Sequence, residues 1–286
     1  MTSAPRHPAL PDALRRRVLQ ASLGRRAPGR YSPAPPSITP LEALTRATRS
    51  FDDVLAALTE EEWLLPVLRG LDVQGLVGHL VGVEGDVQRA LRGDARVADA
   101  DHVGSTQPHA DEHRGRPPAE TLAAWRDAVA ASLAAFAAAD PEQGVGLHTM
   151  RLRAASLCVV RTFELWSHEG DIRLVTGRAP SLPDHSMLTL MTDLAARGLP
   201  VGAARTGLGE PIDLRLVLTG PGGGTWEVRL GPDSGASSRV GVVTDAVGFC
   251  RLAANRISPG ELVLDGSGDR SHLDAVLAAT AALALD

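Results

Sequence analysis

Four long stretches of helical apolar periodicity, all before residue 180, most constrain the fold of this chain. In each stretch apolar residues recur at intervals of three and four, which is typical of helices with one buried face. Four such helices, with one long connection over residues 93–118, predict a four-helix bundle. The first two helices start at Thr39-Pro40 and after the N-cap Asp72, and the last two cover about residues 118–139 and 152–176, with Gly177 as the C-cap.

The pattern changes after Pro183. Apolar and polar residues alternate over Ile212–Thr219, which predicts a strand, and a glycine-rich turn and a return strand over 225–230 follow it. The fold class is therefore predicted to be α+β, with a helical bundle over 38–182 and a smaller α+β domain over 183–286. The other predicted elements of that domain are helices over 187–199, 245–255 (capped by Thr244) and 268–285, and short strands over 240–243 and 262–264.

Residues 1–37 differ from both regions, because they carry seven Arg and seven Pro against a single acid, Asp12. A short basic helix is predicted over 12–23, and the prolines predict irregular structure over 27–36. We expect a basic arm that packs on the main body or stays solvated.

Composition excludes several classes of function. The net charge of -5 and the pI near 6.0 argue against a nucleic-acid binder. All 29 basic residues are Arg, so no Lys can form a Schiff base, which excludes pyridoxal-phosphate enzymes and lysine-dependent aldolases. The two cysteines form no CxxC motif, and neither a signal peptide nor a membrane span is recognisable. A cytoplasmic protein without nucleic-acid or membrane partners is expected.

The residues of most chemical interest lie on the fourth predicted helix. Glu164 and His168 are four residues apart and share one face, and Arg161 and Asp171 fall on the same side. His79 lies on the second helix beside its apolar stripe, where a side chain points into the bundle. Since these two helices can face each other, His79, Glu164 and His168 can meet as two imidazoles and one carboxylate.

Two imidazoles and a carboxylate form the ligand set of catalytic zinc, which keeps a fourth position open. Ferrous iron is the alternative metal. Asp171 would orient a ligand imidazole by accepting its second N–H. The competing interpretations are a solvated Glu164–His168 pair and a core histidine at position 79 that is satisfied by a hydrogen bond.

The polar connection over residues 93–118 is predicted to be a loop. It is interpreted as a solvated loop, as an accessory metal patch, or as a lid over the metal site. The residues concerned are His102, His109 and His113, with Asp99, Asp101, Asp111 and Glu112 nearby.

Two segments resemble the mycothiol-dependent maleylpyruvate isomerase family, which belongs to the DinB-like metal-binding bundles. The segment from Trp63 to Glu84 is similar to the second-helix signature of that family, and the run from Phe163 to Asp171 resembles its fourth-helix motif, Glu-x3-His-x2-Asp. The resemblance covers about residues 38–180. It implies that the zinc ligands are His79, Glu164 and His168. The C-terminal part is similar to the sterol-carrier-like second domain of the family, which helps to close the active site.

The resemblance also implies a mechanism, in which zinc binds the thiol of mycothiol and lowers its pKa. The thiolate would then add to a small electrophile, in an isomerisation or an S-transfer. In the family an Arg of the second domain is implicated in catalysis, and an Arg could hold a substrate carboxylate. Arg256 is the best candidate for this role, with Arg251 and Arg239 as rivals. Cys158 and Cys250 are expected to be packing residues, so neither would serve as the nucleophile.

Two other functions remain open at this point. One is a non-enzymatic, metal-stabilised protein that binds a ligand or partner through its second domain. The other is a metal-dependent hydrolase that uses zinc-bound water. The residues that would bind mycothiol and the identity of the electrophile do not follow from any motif in the chain.

Overall fold

A group of five helices forms the first part of the described chain. The computed structural model describes residues 35–284, and its contacts divide the chain into residues 1–36 and residues 37–286. Except for its last three residues, the predicted basic arm lies outside the described residues, as does its predicted helix. The five helices are α1 (Pro40–Ala56), α2 (Val73–Leu91), α3 (His102–His113), α4 (Pro118–Ala138) and α5 (Ala154–Val175).

Capping residues explain where these helices begin and end. Thr39 Oγ1 accepts a hydrogen bond of 3.1 Å from the backbone N–H of Glu42, and Asp72 Oδ1 accepts one of 2.7 Å from that of Gly75. Gly177 has a φ of +68° just beyond α5, a left-handed conformation that ends a helix. The four helices expected from the sequence are therefore present, close to their predicted bounds.

The prediction of a loop over residues 93–118 is wrong, because this segment contains α3. Asp101 caps the helix by accepting a hydrogen bond of 2.6 Å from the N–H of Gly104. The buried face of α3 has helical spacing but is built mainly from polar side chains, so no apolar stripe marked it. Its buried residues are His102, Thr106, Ala110 and His113.

Two short hairpins are further elements that the sequence did not predict. Strand β1 (Pro66–Leu68) pairs with β2 (Leu71–Asp72), and β3 (Gly144–Leu147) pairs with β4 (Met150–Arg153). The second hairpin runs directly into α5, which is why that helix starts at Ala154 rather than at 152.

The bundle core lies between α1, α2, α4 and α5. The rings of Phe51 on α1 and Trp125 on α4 are 5.2 Å apart, and Leu80 of α2 and Leu165 of α5 are completely buried. Helix α1 packs on α5, and α2 packs on α4. Helices α2 and α5 therefore share one core, as the sequence interpretation required.

Helix α3 packs closely on α2 because two glycines of α2 face it. A Cβ atom on Gly78 would lie 2.8 Å from the carbonyl oxygen of His109, and one on Gly82 would lie 2.8 Å from His109 Cδ2. No larger residue fits at Gly78 unless the backbone of α3 moves. The two glycines thereby hold the buried face of α3, including His102, against α2.

The C-terminal part combines a sheet with helices, so the chain is α+β as predicted. Its elements are α6 (His185–Arg205), β5 (Ile212–Thr219), β6 (Gly224–Leu230), β7 (Ser238–Asp245), α7 (Ala246–Ala253), β8 (Leu264–Ser267) and α8 (Arg270–Ala281). Strand β5 is antiparallel to β6 and parallel to β7, and its residues alternate between buried and less buried positions. The sheet order is β6-β5-β7-β8.

Several predicted bounds of this part differ from the structure. Helix α6 continues through Pro200 to Arg205, and β8 starts at Leu264 rather than at 262. Thr244 lies in β7, where its hydroxyl donates to the Val263 carbonyl at 2.7 Å. Asp245 caps α7 instead, because its Oδ1 accepts a hydrogen bond of 2.7 Å from the N–H of Gly248. A carboxylate one residue later takes the capping role that the sequence suggested for Thr244.

Helix α6 contacts both parts of residues 37–286. It packs against α5 of the bundle and against α7, α8 and β6 of the C-terminal part. None of the helices in residues 35–284 is long and apolar enough to cross a membrane.

The contact between α2 and α3 gives a test with a matched control on one helix. We expect Gly78→Ala to destabilise the protein by about 1–3 kcal/mol, because the added methyl group meets the backbone of α3. We expect Gly85→Ala to be neutral or to stabilise by up to about 1 kcal/mol, because no atom lies within 4 Å of its Cβ and alanine favours a helix. Urea unfolding of both variants measures the difference, and equal midpoints would contradict the close packing.

Candidate metal centre

Three donor side chains from α2 and α5 converge in the bundle. One ligand atom each of His79, Glu164 and His168 lies within 4.8 Å of the other two. His79 Nε2 and Glu164 Oε1 are 3.7 Å apart, and both are buried atoms without a hydrogen bond from any described residue. Buried polar atoms without partners are rare, and a bound cation would satisfy both of these. The predicted ligand residues therefore fit a divalent metal.

A threonine of α3 orients the ring of His79. The Thr106 hydroxyl donates its proton to the His102 carbonyl at 2.7 Å, so it can only accept from His79 Nδ1, also at 2.7 Å. The proton of His79 is then on Nδ1, and Nε2 presents a lone pair to Glu164. Burial lowers the pKa of His79, so the ring is neutral at pH 7, as a metal ligand must be.

Asp171 orients the ring of His168 in a similar way. Its Oδ2 lies 3.1 Å from His168 Nδ1 and 2.9 Å from Arg256 Nη2. Burial alone would raise the pKa of Asp171, but the contacts with His168 and Arg256 lower it, so the group is a carboxylate that accepts from both. Asp171 thus occupies the position that the sequence predicted for it, next to a candidate ligand.

A buried arginine joins the two helices that carry the donors. Arg161 of α5 is 1% exposed, and it donates to Glu84 Oε1 of α2 at 2.6 Å and to Glu164 Oε2. Burial alone would raise the pKa of Glu164, but the positive charge of Arg161 holds it well below its usual value. Glu164 is therefore a carboxylate whose Oε2 is engaged by Arg161, while Oε1 faces the other donors.

A third histidine, His102 of α3, also borders the donors. Its Nε2 is 3.9 Å from Glu164 Oε1, and its ring centroid is 5.0 Å from that of His79. Its Nδ1 is 2.9 Å from His148 Nδ1, and His148 Nε2 is 2.8 Å from Asp86 Oδ2. Burial lowers the pKa of His102 to about 4, so this ring is also neutral at pH 7.

The accessory metal patch suggested for His102, His109 and His113 does not form. His109 is half-buried on α3 beside Glu112, and the buried His113 pairs with Thr121 Oγ1 at 3.1 Å. A helix spaces these three side chains along its length, so they do not converge. The interpretations as a loop or lid fail for the same reason, since the residues belong to a packed helix.

A cavity of about 460 Å³ borders the donors. Glu164, His168 and His102 contribute polar groups to its lining, and Arg256, Arg151 and Arg205 contribute cations. The rest of the lining is mostly apolar and comes from β4, α5, α6 and the segment after α7, with Val160, Phe163, Leu194 and Val201 among its members. Neither Arg251 nor Arg239 lines the cavity, so Arg256 is the one of the three candidate arginines that the structure places there.

Both cysteines are buried and separate from the cavity lining. Burial raises the pKa of Cys158 to about 12, and burial also raises the pKa of Cys250. Neither thiol is therefore ionised at pH 7, and both lie where the sequence predicted packing residues.

Four residues next to the donors escaped the sequence interpretation. Glu84 follows His79 by five residues, and a lone acid within an apolar helical stripe is a signal for a buried ion pair. Thr106 belongs to α3, which the sequence interpretation assigned to a loop. Asp86 and His148 lie far apart in the chain and have no shared motif, so only the folded structure brings them together.

Residues 44–173 match the family described as the mycothiol maleylpyruvate isomerase N-terminal domain. Two solved structures are similar to this chain, namely a crystal structure of the mycothiol-dependent maleylpyruvate isomerase and one of a histidine-to-alanine mutant of it. Each has a TM-score of 0.56 and 16% identity, and the match covers 79% of this chain and 91% of that chain. No curated protein sequence matches this chain. At this identity the two structures establish the shared fold.

The buried Arg161 gives a stability test with an exposed control. We expect Arg161→Met to destabilise the metal-free protein by about 3–5 kcal/mol, because Glu84 and Glu164 lose the cation between them. Arg126→Met breaks the exposed pair with Asp52 and should cost about 1 kcal/mol or less. Urea unfolding at pH 7 measures both losses, and a loss at Arg161 as small as that at Arg126 would refute this role.

The buried thiols give a second test. We expect neither cysteine to react rapidly with a chromogenic disulfide reagent at pH 7 in the native protein, because both thiols are buried and protonated. Both should react once the protein is unfolded in guanidinium chloride. One fast-reacting thiol in the native state would show that a cysteine of the chain is available as a nucleophile.

Proposed function

We propose that the protein is a zinc- and mycothiol-dependent isomerase or S-transferase, on the premise that residues 44–173 match the mycothiol maleylpyruvate isomerase N-terminal domain family. Its substrate is a small electrophile. The observation that carries the proposal is the pair of buried, unpartnered atoms His79 Nε2 and Glu164 Oε1 beside His168, at a cavity large enough for a small molecule.

His79, Glu164 and His168 are the residues that would hold the metal. When bound, the metal would lower the pKa of the mycothiol thiol and so supply a thiolate nucleophile at neutral pH for reversible addition to an electrophilic carbon. The chain itself offers no thiol for this step, since Cys158 and Cys250 are buried and protonated.

The hydrogen bonds around the donors keep them ready to bind a cation. Thr106 and Asp171 hold the Nδ1 protons of His79 and His168, so both rings keep their Nε2 lone pairs for the centre. Arg161 engages the second oxygen of Glu164, which fixes the carboxylate in one orientation. Little reorganisation is needed on binding, which favours affinity.

The walls of the cavity suit an electrophile with an acidic group and an apolar part. Arg256 is held by Asp171 and by the Ala254 carbonyl at 3.0 Å, so its positive charge is fixed at the lining. From there it attracts a carboxylate on the substrate. Val160, Phe163 and Leu194 exclude water from the reacting atoms, which strengthens this attraction and protects the thiolate. We place the reaction in the cytoplasm, where a small thiol stays reduced.

Metal content and thiol binding test the proposal directly. The purified protein, reconstituted if necessary, should hold about one equivalent of zinc, and His79→Ala and His168→Ala should lose it. The control His185→Ala changes a histidine at the start of α6, outside the site, and should keep the metal. The zinc-loaded protein should be stabilised by mycothiol in a thermal-shift assay and should consume an electrophile such as maleylpyruvate only when mycothiol is present.

Three outcomes would decide against this function. Less than a tenth of an equivalent of any divalent metal after reconstitution would remove the basis for metal chemistry. A metal-loaded protein that mycothiol does not stabilise, but that hydrolyses esters or amides, would be a hydrolase using metal-bound water. A metal-loaded protein with neither property would be a binding protein.

Arg256 gives a prediction that is specific to the substrate. We expect Arg256→Met to raise the KM for an anionic electrophile at least about 10-fold, because one charge-assisted contact is worth about 1.5–3 kcal/mol. Arg256→Lys should recover part of the loss, and an uncharged electrophile should be affected less. Steady-state kinetics with a carboxylate substrate and its methyl ester measure the contrast. Equal effects on both would contradict a role for Arg256 in binding the substrate charge.

A further inference from the structure

We propose that His102 of α3 is a fourth protein ligand of the candidate metal centre, so that the donor set is three imidazoles and one carboxylate. This inference rests on the proposed function, since both require a metal held by His79, Glu164 and His168. With His102 as a fourth protein donor, the thiol would bind as a fifth ligand, a coordination number that catalytic zinc can reach. It adds a residue that neither the sequence motifs nor the three-residue donor cluster includes.

The position of His102 relative to Glu164 supports this role. His102 Nε2 is 3.9 Å from Glu164 Oε1, close to the 3.7 Å between His79 Nε2 and the same oxygen. Donors around a tetrahedral zinc lie about 3.4 Å apart, given bond lengths of about 2.0–2.1 Å. His102 therefore needs to move by only about half an ångström to share a metal with Glu164.

The facing atoms of His102 and Glu164 do not form a hydrogen bond. A separation of 3.9 Å is too long for one, and within residues 35–284 no hydrogen bond reaches His102 Nε2. An imidazole lone pair and a carboxylate oxygen repel each other unless a cation lies between them. His79 Nε2 lies at a similar separation from the same oxygen, so His102 extends the candidate centre on the side of α3, at the lining of the cavity.

Two residues behind His102 determine which of its nitrogens carries the proton. Burial alone would raise the pKa of Asp86, but hydrogen bonds from His148 and Ser105 lower it, so Asp86 is a carboxylate that accepts from His148 Nε2. A His148 that carries a single proton keeps it on Nε2 for Asp86, and its Nδ1 then accepts from His102 Nδ1. This leaves the lone pair of His102 on Nε2, which is the atom that faces Glu164.

Each of the three imidazoles around Glu164 has a hydrogen-bond partner at its Nδ1 atom. The Nδ1 proton of His79 is held by Thr106, that of His168 by Asp171, and that of His102 by His148. Proteins commonly hold metal-ligating histidines by a hydrogen bond from the nitrogen that does not bind the metal. His113, a buried histidine of the same helix, pairs with Thr121 and does not line the cavity. The arrangement is therefore specific to His102 within α3.

An unusual turn keeps His148 in place behind His102. His148 and Thr149 have φ values of +46° and +65° in the turn between β3 and β4. Left-handed backbone is uncommon outside Gly, Asn, Asp and His, and for a β-branched threonine it is an outlier. The N–H groups of the two residues donate to the carbonyls of Val97 and Ala98 at 2.9 and 2.8 Å, just before α3. These bonds tie the strained turn to the segment that leads to His102, and such strain is typical of functional sites.

Metal binding without any thiol or substrate tests the assignment. We expect His102→Ala and His102→Gln, in the full-length protein, to raise the Kd for Zn²⁺ at least about 10-fold in competition with a chromogenic chelator. The visible absorption of the Co²⁺-loaded protein should change in both variants, because its intensity and wavelength report the number and type of donors. Asp86→Asn should weaken Zn²⁺ binding in the same direction through the orientation of His148 and His102. The matched control is His113→Ala, which should leave the Kd and the Co²⁺ spectrum unchanged.

Each result decides for or against His102 separately from the proposed function. If both His102 variants bind Zn²⁺ with wild-type affinity and give the wild-type Co²⁺ spectrum, while His79→Ala and His168→Ala lose the metal, His102 is not a ligand and the proposed function stands. If the wild-type protein binds neither metal, both proposals fall. Urea unfolding of the metal-free variants shows whether each is folded. If the alanine variant is unfolded, the glutamine variant, which keeps a polar group beside His148, provides the Zn²⁺-binding measurement.

Discussion

The buried ion group of Glu84, Arg161 and Glu164 is the interaction on which the rest of the centre depends. An arginine that is almost completely removed from water is tolerated only where carboxylates surround it, and here one comes from α2 and the other from the same helix as the arginine. The group therefore requires α2 and α5 to meet in one register. Arg161 also donates to Oε2 of Glu164, which leaves Oε1 facing the other donor side chains. The guanidinium of Arg161 thus fixes how the two helices pack and also orients the candidate ligand Glu164.

Around this group, the surrounding residues direct the lone pairs of the imidazoles. A hydroxyl and a carboxylate accept the Nδ1 protons of His79 and His168, and burial keeps His79 uncharged at neutral pH. Water could also accept these protons, but it would let the rings rotate. Fixed acceptors on α3 and α5 remove that freedom, which explains why α3 must lie so close to α2 and why glycine is needed at position 78.

The sequence predicted the parts of this structure that depend on short-range pattern. Apolar periodicity and capping residues located four helices, and i,i+4 spacing placed Glu164 and His168 on one face. Alternation located β5, and the glycine-rich turn after it located β6. Helix α3 escaped because its buried face is made of histidine and threonine, which no hydrophobic stripe marks. Glu84 was missed although an acid within an apolar helical stripe indicates a buried ion pair. Asp86 and His148 escaped because their significance lies in long-range contacts, of which a single sequence carries no trace. The N-cap of α7 was placed one residue early, because Thr244 and Asp245 are adjacent and both residue types are preferred at N-caps.

The cavity draws its walls from two separate stretches of the chain, with the candidate donors on the bundle and much of the apolar lining on α6 and the segment after α7. Reactivity and selectivity are therefore encoded in different places. Substitutions after residue 185 can reshape what enters the cavity without touching a donor atom, and substitutions around Glu164 can alter the donors without reshaping the far wall. Related proteins could therefore evolve new substrates through changes in the second half of the chain while the chemical step stays the same. Sequence similarity in the first half would then say little about which substrate each protein uses.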